Sequence, residues 1–131
     1  MSIKTDIRQY LLSIPAITNI VGTRIKPMHL GVDVEGKKVP AITYLQLSPG
    51  RYYSHSGHSG LSHPVIQFSC WSYSFDECEE LVNLLIEHLE GLKGNVSGRT
   101  VGGGFVNNQK DLYDPNTKLY HIPVDMEIFH N

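Results

Sequence analysis

His55, His58 and His63 stand close together in a run of serine and glycine, and imidazole nitrogens are common zinc ligands. No cysteine or carboxylate lies between them to complete a tetrahedral set, and a loop without packing of its own cannot preorganise ligands. No metal or cofactor site is therefore expected, and a solvated loop or a subunit contact accounts for these histidines. Cys70 and Cys78 are the only cysteines. A nucleophile needs a base beside it, and no histidine holds that position in the sequence, so both read as small buried hydrophobes. Gly102, Gly103 and Gly104 could let backbone approach a phosphate, but the Lys and hydroxyl of a phosphate loop are missing and more strand follows. A bulge, or backbone packed against a neighbour, explains the glycines better. Trp71, Tyr73 and Phe75 could stack nucleobases, yet aromatics beside a helix start more often close a core.

The elements that must position these residues begin with an amphipathic helix, because Ile3, Ile7, Tyr10, Leu11 and Ile14 recur at spacings of three and four. Pro15 ends it and opens a second short turn, closed by Gly22 in the left-handed region. Residues 24–30 form a short strand that Pro27 confines to a sheet edge. Residues 31–39, charged and glycine-bearing, read as a surface loop. Residues 40–47 form a strand rich in β-branched and aromatic types. After the turn Ser48-Pro49-Gly50, Arg51, Tyr52 and Tyr53 resume extended structure, and residues 54–62 project as a loop. Residues 65–71 form a strand covered on at least one face.

Ser74 and Glu77 carry the spacing of a capping box, in which hydroxyl and carboxylate satisfy each other's end of a helix start. The helix runs from Phe75 to a stop at Gly91, with Cys78, Leu81, Val82, Leu85 and Leu89 on one face. Residues 99–113 then read as one strand and residues 119–129 as another, joined by a turn at Asp114-Pro115-Asn116-Thr117. In the last strand Tyr120, Ile122, Val124, Met126 and Ile128 alternate with His121, Pro123, Asp125, Glu127 and Phe129, the period of a half-buried antiparallel strand. The expected fold is α+β: a mainly antiparallel sheet with helices packed on one face, in a single domain over residues 1–131.

Composition narrows the function. At 131 residues, 40% hydrophobic and 18% charged, the chain suits an ordinary globular domain and excludes collagen-like or wholly disordered classes. A formal charge of -2 offers no basic field to hold phosphates, which disfavours general nucleic-acid binding. No stretch approaches the roughly 18 apolar residues of a membrane span, and the first residues lack a signal-peptide core, so the protein is expected to stay in the cytosol where it is made. Strand candidates longer than the usual five or six residues would leave long open sheet edges in so small a sheet. Self-association would cover them. Residues 51–61 are expected to reach a neighbouring subunit, with Arg51, Tyr52, Tyr53, His55 and His58 as contacts, since tyrosines supply rigid area and glycines adaptability.

Several ordered stretches carry a family resemblance: Pro40-Ala41-Ile42-Thr43-Tyr44, Gly57-His58-Ser59-Gly60-Leu61, the run from Val65 through Trp71 and Ser72 into Glu77, Asp111-Leu112-Tyr113-Asp114, Tyr120, and Val124-Asp125-Met126-Glu127-Ile128-Phe129. Together with the opening helix, Gly22 and Arg24-Ile25-Lys26-Pro27, this pattern resembles the tail completion proteins of long-tailed bacteriophages and prophages. Residues 31–38 and 94–104 carry little of it. The resemblance implies a virion structural protein without enzymatic activity. It implies a hexameric ring of identical subunits that caps the head-proximal end of the tail tube, ends tube polymerisation and docks the tail to the head connector. The implied partners are further copies of itself, the tail tube protein and the connector or stopper protein. Double-stranded DNA would pass through the lumen without specific binding, and assembly would occur in the host bacterial cytoplasm, away from membranes. Another neck or connector protein of the same joint, and a metal- or thiol-dependent enzyme, remain as alternatives.

Overall fold

The structure, a computed structural model, describes residues 2–31, 36, 38–54 and 57–130, and of residues 51–54 and 57–61 it describes the backbone alone. Helix α1 (Ile3–Leu12) starts where the Ser2 hydroxyl accepts a hydrogen bond from the Thr5 N–H at 3.2 Å. Its buried face carries Ile3, Ile7 and Leu11 as the periodicity predicts, and also Asp6. Helix α2 (Pro15–Val21) has proline in its first turn and ends on Gly22 at φ +58°. Strand β1 (Ile25–Pro27) is shorter than expected and runs parallel to β2 (Ala41–Ser48) at the sheet edge. It stops at Pro27, which has no N–H to extend the ladder. Buried Arg24 ties this edge down, donating from Nε to the Pro40 carbonyl at 2.8 Å.

Of residues 54–62, expected to project as a loop, Ser54 and residues 57–62 lie in strands, and residues 55 and 56 lie outside the described residues. These strands, β3 (Arg51–Ser54) and β4 (Gly57–Ser62), pair antiparallel as the two arms of a hairpin. Backbone pairing needs no apolar alternation, so a serine- and glycine-rich run can enter a ladder that its side chains do not advertise. Strand β5 (Val65–Ser72) lies between β2 and the long β9 (Leu119–His130), antiparallel to both.

Helix α3 (Phe75–Leu89) buries Cys78, Leu81, Val82, Leu85 and Leu89, the five residues its stripe predicts. Its start departs from a simple capping box. The Ser74 hydroxyl accepts from the Glu77 N–H at 3.4 Å, but the Glu77 carboxylate accepts from the Ser72 hydroxyl at 2.6 Å, and Ser72 Oγ in turn accepts from the Ser74 N–H at 3.0 Å. Ser72 thus relays the carboxylate to the orphan donor. Beyond the helix, the expected single strand over residues 99–113 is two: β7 (Arg99–Gln109), which pairs at its start with β6 (Gly94–Val96), and β8 (Leu112–Asp114). Both pair with β9, and the break falls opposite Pro123, which lacks a donor; Lys110 N–H still donates to its carbonyl at 3.2 Å.

Among the described residues the strands form one mixed sheet, with β1–β2 its parallel pair. Tyr44 on β2, Ile66, Phe68 and Cys70 on β5, and Ile122, Val124, Met126 and Ile128 on β9 share one face and join the helices' apolar stripes in one core. The α+β fold with helices on one face is therefore as expected. Gly104 shows how close that packing is: a Cβ there would lie 2.2 Å from the Leu89 carbonyl oxygen, and Gly91 N–H donates to the Gly104 carbonyl at 2.8 Å.

Candidate assembly surface

The other face of the sheet is latched by cross-strand polar pairs. Register sets Thr43 beside Ser69 and Gln67 beside Asp125, and Gln67 Nε2 donates to Asp125 Oδ1 at 2.9 Å. Trp71 Nε1 donates to Thr43 Oγ1 at 2.9 Å while its ring stacks on His121 with centroids 4.0 Å apart. At the far end His63 Nδ1 lies 2.8 Å from the Glu127 carboxylate, its ring stacks on Phe129 at 5.6 Å, and Phe105 meets Phe129 edge-on at 5.7 Å. Thr43 and Ser69 are buried, while Gln67, Trp71, His121, Asp125, His63, Glu127 and Phe129 are partly exposed and Phe105 exposed, so much of the face is still accessible.

His121 is the member of this row whose hydrogen bonding is incomplete among the described residues. Its Nδ1 is buried with no hydrogen-bond partner among the described residues. Desolvation pushes its pKa below the ordinary 6.5, and the Asp114 charge only partly opposes this. A histidine with a depressed folded-state pKa contributes stability that is present above the unfolded value and is lost as pH falls through the folded one. Denaturant midpoints should therefore decline as pH drops below about 6.5, and His121→Phe, which keeps the stacking on Trp71, should flatten that decline. Parallel profiles for the two proteins would contradict this assignment.

The hairpin β3–β4 is rooted next to this face. Ser62 is the Cα partner of His130, and His63 N–H donates to the Gly50 carbonyl at the hairpin base. Gly50 has φ +51°, and a Cβ on it would sit 2.1 Å from the His63 carbonyl oxygen, so no other residue fits without moving the base. Of the sequence-predicted contact residues, Tyr53 and His58 are cross-strand partners, and Arg51 is paired with Ser62. Tyr52 lies between Arg51 and Tyr53 on β3. His55 lies outside the described residues.

The remaining chemical candidates are accounted for by packing. Cys78 Sγ donates to the carbonyls of Cys70 and Tyr120 at 3.5 and 3.3 Å. Burial pushes the Cys78 thiol up to about 11, and that of Cys70 higher still, so both stay protonated at neutral pH and are poor nucleophiles. Gly104 packs against α3 and a bulge falls between Val101 and Gly103, which agrees with the bulge and close-packing reading of the glycines. Phe75 packs edge-on against Tyr120 at 5.7 Å, closing one end of the core. Among the described residues no three His, Cys, Asp or Glu side chains converge as metal ligands would.

Sequence reasoning expected open sheet edges but did not place two of those that the described residues leave. Residues 107–113 are exposed without interruption along the outer side of β7 and β8, where β6 covers only the start of β7. On the opposite side β1 covers β2 only as far as Tyr44. Pro27 is the local signal for the second opening; the first depends on the length of β6, which no motif announces.

The family model for Tail completion protein gp17 matches residues 5–131 of this chain. Among solved structures, a chain from the virion of a native gene transfer agent particle superposes with a TM-score of 0.72 at 13% sequence identity, covering 99% of this chain and 96% of the other. At that identity the likeness is one of fold. No curated protein matches the chain.

Proposed function

The chain belongs to the tail completion protein gp17 family, and from that premise we propose that it caps the head-proximal end of a phage tail tube as a hexameric ring, ends tube polymerisation and joins the tail to the head connector. The observation that carries this reading is the extent of the family match, which runs over nearly the whole chain. A structural role in the tail or neck also suits a molecule whose cysteines are buried and held protonated. The partners are then further copies of the chain, the tail tube protein and the connector or stopper protein. DNA crosses the lumen of a net-acidic ring that offers it little counterion-release affinity. Assembly takes place in the host bacterial cytoplasm, and the finished protein resides in the virion at the tail neck.

In this proposal the β3–β4 hairpin, with Arg51, Tyr52, Tyr53, His55 and His58, contacts a neighbouring subunit or the next ring. Deleting residues 54–59 should leave a folded protein, by circular dichroism, that no longer joins heads to tails. Undiminished yield of infectious particles would overturn the hairpin's role. The function itself is tested by electron microscopy of particles lacking the protein: tubes of uncontrolled length and unattached heads are expected. Tubes of normal length with only the head missing would place the protein among the connector proteins instead.

A further inference from the structure

Two of the sheet edges left open among the described residues, that of β7–β8 and that of β1–β2, are complementary in backbone, apolar surface and charge. On β2, Ile42 N–H donates to the Arg24 carbonyl and the Tyr44 carbonyl accepts from Met28 N–H, so even-numbered residues present their backbone groups outward. Gln46 is the next in that series, and β1 has already ended at Pro27. Beside it a cavity of about 270 Å³ is lined by Lys4, Thr5, Pro27, Met28, Tyr44 and Leu45, among others. Met28 is 68% exposed and Leu47 50%.

The other edge runs along β7 and then β8 (Leu112–Asp114), with Asp111 just before β8. Here Phe105, Leu112 and Tyr113 are 52%, 43% and 50% exposed, unusual values for large apolar side chains gathered along one margin. Tyr113 packs on Tyr120 at 4.6 Å, on the helix-bearing side of the sheet, the side on which Lys4 and Thr5 of α1 line the cavity. Leu112 is paired with His121, on the open side, where Leu45 also lies beside Gln67. Asp111 precedes β8 and Asp114 ends it, while Lys26 lies on β1 and Lys4 lines the cavity beside β2. The Asp114 carboxyl is held below its ordinary range chiefly by the Asn116 N–H, so it keeps its charge.

Resting on the ring reading above, we infer that the β7–β8 edge of one copy pairs with the β1–β2 edge of the next, making the sheets of neighbouring subunits continuous, with Tyr113 seated in the cavity beside Gln46. The two edges differ, so the contact is heterologous and can close into a ring. Each of these two edges is then satisfied by a neighbour.

Cross-linking the full chain tests this. Gln46→Cys is combined in turn with Asp111→Cys, Leu112→Cys and Asp114→Cys, and each protein is treated with a short bis-maleimide; native Cys70 and Cys78 are buried and do not compete. At least one double variant should give a ladder of covalent oligomers ending at the ring's subunit number, while each single variant stays uncoupled. Tyr113→Arg added to the productive pair should cut the ladder at least tenfold while circular dichroism stays unchanged. An assembled particle by mass measurement with no ladder from any pair would overturn the edge pairing and leave the ring standing. A monomer at every concentration would overturn both.

Discussion

Leu85→Ala should lower the unfolding free energy by about 2–5 kcal/mol, out of the roughly 5–15 kcal/mol a domain of this kind has to lose. Leu85 lies fully buried in the apolar stripe of α3, and that stripe joins the core built on β5 and β9. The loss combines the transfer free energy of the removed methyls with the contacts the cavity walls forfeit. Urea titration is the measurement, with the midpoint falling and the slope unchanged if only stability is affected. Leu85→Met, nearly equal in volume, should cost less than about 1.5 kcal/mol. Equal losses for the two variants would mean that Leu85 acts through something other than filling space.

Asp6→Ala should be comparably damaging, at about 3–5 kcal/mol, although Asp6 is a polar residue in a helix. Its carboxylate is nearly inaccessible and lies 2.7 Å from Arg99 Nε, bolting α1 to the first residue of β7. The neighbouring Ser97 hydroxyl donates to the Asp6 carbonyl at 3.3 Å. Removing the carboxylate leaves a guanidinium in a site shaped for an ion pair, which is why one-sided removal costs more than the pair itself contributes. Arg99 is partly exposed and also lies 3.5 Å from His130 Nδ1, so the lower end of the range is expected. Asp6→Asn, which retains an acceptor, should recover part of the loss. The Asp6→Ala deficit should persist at high salt, because a pair this buried is weakly screened; a deficit that vanished at high salt would contradict the assignment.

The helices were legible in the sequence because their signals are local. A spacing of three and four brought Ile3, Ile7 and Leu11 to one side of α1, and the hydroxyl at Ser74 marked the start of α3. The alternation from Tyr120 to Phe129 likewise reported β9 from within itself. What could not be read depends on groups far apart along the chain. The break between β7 and β8 is explained by Pro123 on another strand, and the hairpin at residues 51–62 is held by backbone pairing that serine and glycine do not reveal. The Asp6–Arg99 and His63–Glu127 pairs span 93 and 64 positions, and no periodicity announces a contact of that kind. The open edges are harder still, since an edge is defined by the strand that is not beside it.

Pro123 has a mechanical consequence. By removing one rung where β7 gives way to β8, it turns a stiff ribbon into an articulated one, in which the short outer limb is held to β9 by its own three pairs, Leu112 with His121, Tyr113 with Tyr120 and Asp114 with Leu119. A limb tied to β9 by its own pairs is a separate tab on the sheet margin, so whatever mates with it meets a short piece anchored through Tyr120 and not the end of one long rod.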